Sequence, residues 1–269
     1  MTCRIFVINM KKSAERLAFM SEQLSRLGLS FEVQIGIDGK THEFGDMYDE
    51  ESSERLNGTP LALVEKGCAL SHRLILERIV SEHIPYTLIL EDDVELPTQF
   101  KDALAQELEK QKEGKAVWEY LAFNYPTVGW KFVKLWLFLL TEQFKKRPST
   151  TLYAKLPVFF IKFLGILAVS LFEGLRDMLY KKLFTYGAPA RFYRPMYLAG
   201  CYLVTEAGAK KLLEVQTKLI YPADRIQNIA RVKKGLKLFW FVPLLVKQRR
   251  DKFESTMYQN KDYVFEKYD

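Results

Sequence analysis

The sequence predicts an α/β fold with a mainly parallel β-sheet flanked by helices. First, short apolar runs that are typical of buried strands alternate with longer segments whose apolar residues recur every three or four positions. Second, 269 residues can bury a large core as one domain, or as one domain with an insertion. Third, a content of 48% hydrophobic and 27% charged residues gives no indication of disorder.

The first elements follow from local patterns. Residues 4–9 are an apolar run that predicts a strand, not a secretory leader, since a small-residue cleavage site is absent. A helix is expected from about Ser13, ended by Gly28. Residues 31–35 predict a second strand, and the turn signal at 36–39 ends it.

The middle of the chain continues the alternation. We expect a polar, acidic loop over residues 40–60 and then a helix over 66–83 that leads into a strand over 86–90. Thr98 is the expected N-cap of the next helix. Residues 118–124 predict a further strand.

The last part of the chain repeats the pattern after residue 196. Residues 198–204 predict a strand, and Thr205 is the expected cap of a short helix. A helix is expected from Arg225 and a strand over 236–242. Residues 248–269 are polar and aromatic without a clear period. Alternating strands and helices predict a single α/β domain over residues 1–269.

The strand predicted over 86–90 stops at three consecutive carboxylates, Glu91, Asp92 and Asp93. Adjacent carboxylates repel one another, so holding them at one strand end is costly without a cation. Hard divalent ions such as Mg²⁺ and Mn²⁺ prefer oxygen ligands and often bind carboxylates together with a substrate phosphate. Because ligands collect beyond the carboxyl ends of parallel strands, we expect a metal-assisted site for a phosphorylated ligand. The alternative is a solvated acidic turn that leads to Pro97.

The cysteines predict a reducing environment without a disulfide framework or a structural metal cluster. Cys3, Cys68 and Cys201 are odd in number and lack a paired zinc spacing. We expect Cys68 and Cys201 to be small buried residues without chemistry. Only three histidines are present, which argues against a multi-histidine metal centre.

Residues 130–194 interrupt the alternation and predict a helical insertion. The segment carries twelve basic and three acidic residues, and its 17-residue apolar stretch at 156–172 contains Lys162. A membrane-spanning helix needs about 20 mostly apolar residues, so we expect basic amphipathic helices that rest on an anionic membrane surface. The alternatives are a hydrophobic subdomain core, a dimerisation face or a hairpin in the bilayer. The long apolar runs argue against nucleic-acid binding.

Four segments stand in a fixed order along the chain. They are Val7-Ile8-Asn9 with Arg16 after it, Lys66-Gly67-Cys68-Ala69-Leu70-Ser71-His72, Leu88-Ile89-Leu90-Glu91-Asp92-Asp93, and Gly200-Cys201-Tyr202-Leu203-Val204-Thr205. In this order they resemble glycosyltransferase family 25, the bacterial lipooligosaccharide galactosyl- and glucosyltransferases. Residues 242–248, with Ser255-Thr256 after them, also resemble the family's C-terminal pattern. The resemblance covers nearly the whole chain except 130–194.

The resemblance implies a GT-A fold of Rossmann type, a UDP-sugar donor, a divalent cation and inversion at the anomeric carbon. The family's acidic motif falls on Glu91, Asp92 and Asp93, in the form Glu-Asp-Asp instead of a strict Asp-X-Asp. We expect Asp93 and Glu91 to bind Mn²⁺ or Mg²⁺, although Glu91 could instead face the ribose or orient a metal-bound water. From the resemblance together with the basic insertion, we expect a peripheral position on the cytoplasmic face of the bacterial inner membrane.

The matching positions predict contacts to the nucleotide-sugar, and each has a structural alternative. Gly67, Ser71 and His72 open a helix where backbone amides can meet a diphosphate; the alternative for His72 is a half-buried helix position. Arg16 could be a solvated helix residue, and Asp38 could bond its own turn. The predicted nucleotide-sugar contacts are Asn9, Arg16, Asp38, Gly67, Ser71, His72, Glu91 and Asp92.

An inverting transfer needs a base that takes the proton of the acceptor hydroxyl, well separated from the metal group. Asp224 is our candidate, and an ordinary helix N-cap is the alternative; Asp92 and Asp38 are weaker candidates. The hypothesis is transfer of galactose, or else glucose, from a UDP-hexose to a lipid-linked lipooligosaccharide core acceptor. The alternatives are a metal-dependent phosphoesterase or nucleotidyltransferase, and a non-catalytic membrane adaptor on a degenerate transferase fold.

Overall fold

The structure is a computed structural model. It describes residues 3–124, 187–191, 197–249 and 252–253, together with the single positions 172, 175, 178, 179 and 183.

The described elements alternate in type, as the sequence predicts. In chain order they are β1 (Arg4–Asn9), α1 (Ala14–Arg26), β2 (Glu32–Ile35), a 3₁₀ turn (Gly45–Met47), α2 (Glu50–Asn57), α3 (Leu63–Ser81), β3 (Tyr86–Glu91), β4 (Val94–Glu95), α4 (Phe100–Lys112), β5 (Tyr120–Ala122), β6 (Ala188–Ala190), β7 (Cys201–Thr205), α5 (Glu206–Val215), α6 (Ile226–Lys234), β8 (Leu238–Val242) and β9 (Lys247–Gln248).

Seven strands form the central sheet in the order β2-β1-β3-β7-β5-β8-β6. β1 pairs in parallel with both β2 and β3, and β5 pairs in parallel with β8. β7 runs antiparallel to its neighbours β3 and β5, and β6 runs antiparallel to β8. Five strands therefore share one direction, which is the mainly parallel sheet with flanking helices expected for a GT-A-like Rossmann fold.

Each face of the sheet is covered by its own set of helices. On one face, α1 and α4 bury side chains such as Leu24 and Phe100 against Leu88 of β3. On the other face, α3, α5 and α6 bury residues that include Ile79 and Leu212. A sheet that is covered on both faces needs apolar residues on both, and this is why the strands are continuous apolar runs.

Three local expectations need correction. The loop expected over residues 40–60 contains α2, which starts where the Asp49 carboxylate accepts a hydrogen bond of 2.9 Å from the Ser52 amide. α3 begins three residues earlier than expected, because Glu65 accepts a bond of 2.8 Å from the Ala62 amide at the helix start. The N-cap of α4 is Gln99 and not Thr98, and no side-chain cap is formed there.

The loop after β2 crosses the start of α3 in backbone contact. A Cβ added to Gly67 would lie 2.4 Å from the Ile37 carbonyl oxygen, and one added to Gly39 would lie 1.7 Å from the Leu63 carbonyl oxygen. Side chains at these two positions would force the loop and the helix apart. The pair of glycines thereby fixes where α3 begins, next to the carboxyl ends of β1 and β3.

The predicted insertion at 130–194 lies mostly outside the described residues, and its membrane role stays a prediction. Within that range β6 pairs with β8, so the central sheet resumes at Ala188. Among the described residues, no helix combines the length and the apolar character needed to cross a membrane.

Candidate functional site

One edge of the sheet gathers the polar residues that the sequence analysis singled out. β1, β3 and β5 end at this edge, and the antiparallel strand β7 starts there. β1 lies between β2 and β3 and pairs in parallel with both, so its end is the point where ligands bind in doubly wound sheets. The register places Ile8 opposite Glu91, so Asn9 comes next to Asp92.

Asp92 is held inside this edge by two side chains. Its Oδ2 accepts a hydrogen bond of 2.7 Å from Asn9 Nδ2, and its Oδ1 accepts one of 3.0 Å from Arg16 Nη1. Burial raises the pKa of Asp92 above its ordinary value, while Arg16 acts in the opposite direction. Asn9 and Arg16 thus both bond to Asp92, and these three of the residues predicted to contact the nucleotide-sugar link β1 and α1 to the end of β3.

Glu91 is oriented by partners on both of its oxygens. Oε2 accepts a hydrogen bond of 3.0 Å from Gln248 Nε2 on β9, and Oε1 lies 3.4 Å from His72 Nε2 on α3. β9 reaches this position because it pairs antiparallel with β4, just after the acidic run. The C-terminal part of the chain therefore contributes directly to the site.

His72 belongs to a buried row of rings behind Glu91. Its Nδ1 lies 2.9 Å from the Tyr202 hydroxyl, and its ring stacks on Tyr202 with centroids 5.7 Å apart. Tyr202 stacks in turn on Tyr120, with centroids 4.5 Å apart. Burial raises the pKa of both tyrosines well above the ordinary value, so both hydroxyls stay protonated. The row fixes the plane of the imidazole ring beside Glu91.

Asp93 sits where the chain leaves β3. Its carboxylate oxygen Oδ2 lies 3.9 Å from Arg16 Nη1. Its carbonyl oxygen accepts a hydrogen bond of 2.7 Å from the Arg249 amide. The backbone of Asp93 is therefore anchored to the C-terminal segment that also carries Gln248.

Asp224 lies in the turn before α6. The helix starts at Ile226, and its N-cap residue is Arg225, whose side chain makes no capping hydrogen bond, so Asp224 does not hold the N-cap position. Burial, together with the negative charges of Glu91 and Glu65, raises the pKa of Asp224 to about 6. This carboxylate therefore lies within electrostatic range of Glu91 at the end of β3 and binds a proton more readily than an ordinary aspartate.

The residues present fit a divalent cation. Glu91, Asp93 and Asp224 all act electrostatically on Cys68, and together with burial they raise the pKa of its thiol well above the ordinary value. Such a concentration of negative charge in a partly buried site is costly unless a cation neutralises it. Glu91 and Asp93 supply the oxygen ligands that Mg²⁺ and Mn²⁺ prefer.

Three of the residues predicted to contact the nucleotide-sugar also make contacts within the protein itself. Ser71 donates a hydrogen bond of 2.7 Å to the Gly67 carbonyl and accepts one of 2.8 Å from the Ile37 amide. Gly67 forms the crossing with the loop after β2. Asp38 pairs with Lys12 at 2.8 Å and accepts from the Lys40 amide of its own turn, which agrees with the alternative given for it.

Sequence reasoning missed Asn124 and Gln248. Asn124 Oδ1 accepts a hydrogen bond of 3.0 Å from the Cys201 amide, while its Nδ2 is buried and has no hydrogen-bond partner among the described residues. A Cβ added to Gly200 would lie 2.7 Å from that Nδ2 atom and 3.3 Å from Gln248 Nε2. The signal for Asn124 was its place after the last apolar residue of a predicted strand. Gln248 ends the segment 242–248, and the resemblance of that segment to the family's C-terminal pattern was the signal that could have found it.

Comparison with known proteins adds a family. A family model described as "Glycosyltransferase family 25 (LPS biosynthesis protein)" matches residues 2–227. The chain is 31% identical over 111 residues to a "Glycosyltransferase 25 family member" of Aedes aegypti, a match that covers 39% of this chain and 18% of that protein. It is 27% identical over 127 residues to human "Procollagen galactosyltransferase 2", covering 44% of this chain and 20% of the relative.

A further match carries a different label. "Probable inactive glycosyltransferase 25 family member 3" of Bos taurus is 27% identical over 123 residues, covering 44% of this chain and 21% of the relative. The chain thus spans about a fifth of the length of these curated relatives.

Proposed function

The chain belongs to glycosyltransferase family 25, and on that premise we propose that it transfers galactose, or else glucose, from a UDP-hexose to a lipooligosaccharide core acceptor with inversion. One observation carries the proposal. Burial and the nearby negative charge of Glu91, at the end of β3, raise the pKa of a separate carboxylate, Asp224, to about 6. Inverting transfer requires this combination, because one group must serve the leaving diphosphate and another must serve the attacking hydroxyl.

Asp93 and Glu91 are the residues that would hold Mn²⁺ or Mg²⁺. When bound, the cation offsets the negative charge that develops on the departing diphosphate. Gln248 and His72 hold Glu91 from two sides, which limits its rotation before the donor binds. Arg16, 3.9 Å from Asp93 Oδ2, adds positive charge on the same side of the site.

Asp224 is the proposed base. A general base works best when its pKa lies near the operating pH, and a value of about 6 lies closer to neutrality than the ordinary 3.8 of aspartate. At neutral pH the carboxylate is largely ionised and can accept the proton of the acceptor hydroxyl. Its place before α6, on the chain segment that follows β7 and α5, separates it in sequence from the acidic run of β3.

The uridine is proposed to bind at the ends of β1 and β2. Asn9 ends β1, and Gly36 of the next loop donates a backbone hydrogen bond of 2.9 Å to the Asn9 carbonyl. Asp38 lies two residues further and is paired with Lys12 at 2.8 Å. This pair offers an acceptor and a donor group at the edge of the sheet, where the base and ribose of a nucleotide bind in doubly wound folds.

Membrane attachment is part of the proposal, because the proposed acceptor is a lipid. Within the predicted insertion, five described residues are helical and expose large apolar side chains: Phe172, Leu175, Met178, Leu179 and Leu183. The segment 130–194 carries twelve basic and three acidic residues. Exposed apolar side chains within a basic segment are typical of peripheral binding to anionic lipid.

The proposal is tested by incubating the chain with UDP-galactose or UDP-glucose, Mn²⁺ and a truncated lipooligosaccharide. We expect extension of the acceptor by one hexose, measured by mass spectrometry. Asp224→Asn should lower the transfer rate about 10²–10⁴-fold, as loss of a general base does, while UDP binding persists in calorimetry. Asp46→Asn, on the exposed 3₁₀ turn, is the matched control.

No extension with any UDP-hexose across a panel of acceptors would contradict the proposal. Nucleotide binding without transfer would favour the non-catalytic adaptor. One of the relatives is itself named as probably inactive. Hydrolysis of a phosphoester without sugar transfer would instead favour the phosphoesterase.

A further inference from the structure

Three side chains of different chemistry meet beside the acidic end of β3. The Cys68 sulfur, a His72 ring nitrogen and a Glu91 carboxylate oxygen all lie within 4.8 Å of one another. Cys68 and His72 stand four residues apart on α3 and therefore on the same helix face. Glu91 is the last residue of β3. Two separate elements thus bring a sulfur, a nitrogen and an oxygen ligand to one point.

We propose that Cys68, His72 and Glu91 form a binding site for a transition-metal ion of the zinc class, with three protein ligands and one position left for water or a ligand. A thiolate, an imidazole and a carboxylate are a ligand set of zinc, whereas Mg²⁺ and Mn²⁺ favour oxygen alone. The three-ligand pattern is that of an open zinc site, because a closed structural site uses four protein ligands.

The distance between two of the three ligand atoms suits such an ion. His72 Nε2 and Glu91 Oε1 are 3.4 Å apart. Two ligands that each lie about 2.0–2.1 Å from a tetrahedral zinc ion are separated by about 3.3 Å. These two atoms can therefore bind one ion at their present separation.

In His72 and Glu91, the polar atom that would not bind the metal is hydrogen-bonded to a neighbouring side chain, as is typical of metal sites. His72 Nδ1 lies 2.9 Å from the Tyr202 hydroxyl oxygen, which can accept a hydrogen bond from Nδ1–H. In that tautomer the unprotonated Nε2 can bind the metal. Gln248 Nε2 donates to Glu91 Oε2 at 3.0 Å, on the side away from His72. The site is thus oriented before any metal binds.

The site shares Glu91 with the proposed Mn²⁺ or Mg²⁺ ligands. When Glu91 binds zinc together with Cys68 and His72, it can no longer bind Mn²⁺ together with Asp93. Zinc is therefore expected to lower the rate of Mn²⁺-supported transfer. Metal binding itself does not depend on the proposed transferase activity. It is measured without nucleotide or sugar, so failure of either proposal is recognised separately.

The experiment uses Co²⁺ as a spectroscopic probe for zinc on the full chain stripped with a chelator. We expect a sulfur-to-cobalt charge-transfer band and intense visible bands of a tetrahedral site, reaching a plateau at one equivalent and abolished by one equivalent of Zn²⁺. Cys68→Ser should remove the charge-transfer band, and His72→Asn should weaken Co²⁺ affinity at least tenfold. Cys3→Ser, which alters a cysteine outside the cluster, should leave the spectrum unchanged.

The proposal is overturned if the native chain gives no charge-transfer band, or if Cys68→Ser retains it while Cys3→Ser loses it. Because a variant can fail to fold, X-ray absorption at the zinc edge of the native protein provides an independent measurement. One sulfur at about 2.3 Å with nitrogen and oxygen at about 2.0 Å is expected. A shell of nitrogen and oxygen alone would exclude Cys68 as a ligand.

Discussion

Asp92 and Asp93 are adjacent in sequence but have different surroundings. Asp92 bonds to Asn9 at 2.7 Å and to Arg16 at 3.0 Å, and it is only 7% exposed. Asp93 carries the proposed metal ligand. The acidic run therefore combines Asp92, whose two carboxylate oxygens both accept hydrogen bonds within the protein, with Asp93, the proposed metal ligand.

Asp92→Asn should destabilise the fold by about 1–3 kcal/mol, because the amide nitrogen that replaces one carboxylate oxygen cannot accept the hydrogen bond from Asn9 Nδ2 or from Arg16 Nη1. Urea denaturation measures the loss. The exposed Asp46→Asn should change stability by less than about 0.5 kcal/mol. A double-mutant cycle with Arg16→Met isolates the pair: the cost of Asp92→Asn should shrink in the Arg16→Met background. Strictly additive costs would refute the role assigned to this pair.

The raised pKa of Asp224 makes stability depend on pH. Its value is about 6 in the folded chain, against 3.8 for the ordinary group, so the folded state binds the proton more tightly. This contribution is fully present below about pH 4 and is lost as the pH rises through about 6. Asp224→Asn should therefore be more stable than the native chain at pH 7.5, by up to about 3 kcal/mol, and this advantage should disappear below pH 4.

Urea denaturation at pH 4, 5.5 and 7.5 in a chelating buffer measures the Asp224→Asn difference without interference from bound metal. Asp49→Asn is the matched control, because the pKa of Asp49 is lowered by the hydrogen bond from Ser52. Its stability relative to the native chain should change with pH in the opposite direction. An Asp224→Asn difference that stays constant with pH would show that Asp224 titrates normally.

The sequence predicted which residues lie near one another better than it predicted their contacts. Glu91 Oε1 and His72 Nε2 lie 3.4 Å apart, and the apolar run that stops at three carboxylates was the signal for Glu91. Ser71 was expected at a diphosphate, but its hydroxyl bonds within the crossing of α3 and the loop after β2. Only the packing of that loop decides between these roles, and no local pattern encodes it.

At the scale of single helices and strands, local sequence patterns predicted some elements and missed others. Strands β1, β3, β7 and β8 are apolar runs bounded by polar residues, and they were predicted within a few residues. α2 was missed because its only buried residue is Ser53, so it has no apolar face that a periodic pattern could show. β4 and β9 have two residues each and are strands only because they pair with one another. Since they are far apart in the sequence, no local pattern could predict this pairing.

The Gly67 crossing gives a prediction for α3. Gly67→Ala should cost at least about 2 kcal/mol despite the better helix propensity of alanine, because the new Cβ would lie 2.4 Å from the Ile37 carbonyl oxygen and 2.8 Å from the Gly39 amide nitrogen. These are backbone atoms and cannot move aside as a flexible side chain can. Thermal unfolding measures the loss.

Ser81→Ala, at the exposed end of the same helix, is the control for Gly67→Ala and should be close to neutral. A Gly67→Ala variant as stable as the native chain would show that the loop after β2 is not held against α3. The same variant should also weaken nucleotide binding, since α3 positions His72 beside Glu91.

At the scale of the whole molecule, the sheet topology explains why distant segments share one site. β3 and β5 run in one direction and β7 runs between them in the other, so Asn124 at the end of β5 comes next to Gly200 before β7. β9 then brings Gln248 back to Glu91. The sequence predicted a site at a strand end, but the contribution of residues more than 100 positions apart follows only from strand order.

Charge is divided unevenly over the chain, and this leads to a prediction for membrane binding. The predicted insertion has twelve basic and three acidic residues, and its exposed helical positions include Phe172 at 68% and Leu183 at 70% exposure. We expect the chain to float with vesicles that contain phosphatidylglycerol. Each basic residue near an anionic surface contributes about 1 kcal/mol, so replacing Arg176, Lys181 and Lys182 by glutamine should weaken binding about 100-fold.

A matched control for this triple replacement separates local from overall charge. Replacing Lys110, Lys112 and Lys115 by glutamine removes the same three charges at and just after α4, which belongs to the central domain. This control should retain nearly all binding in the same flotation assay, and raised salt should release the native chain because exposed charges are screened. Equal losses in both variants would mean that net charge alone drives the attachment. Undiminished flotation on neutral phosphatidylcholine would instead indicate that apolar side chains, and not the basic residues, hold the protein on lipid.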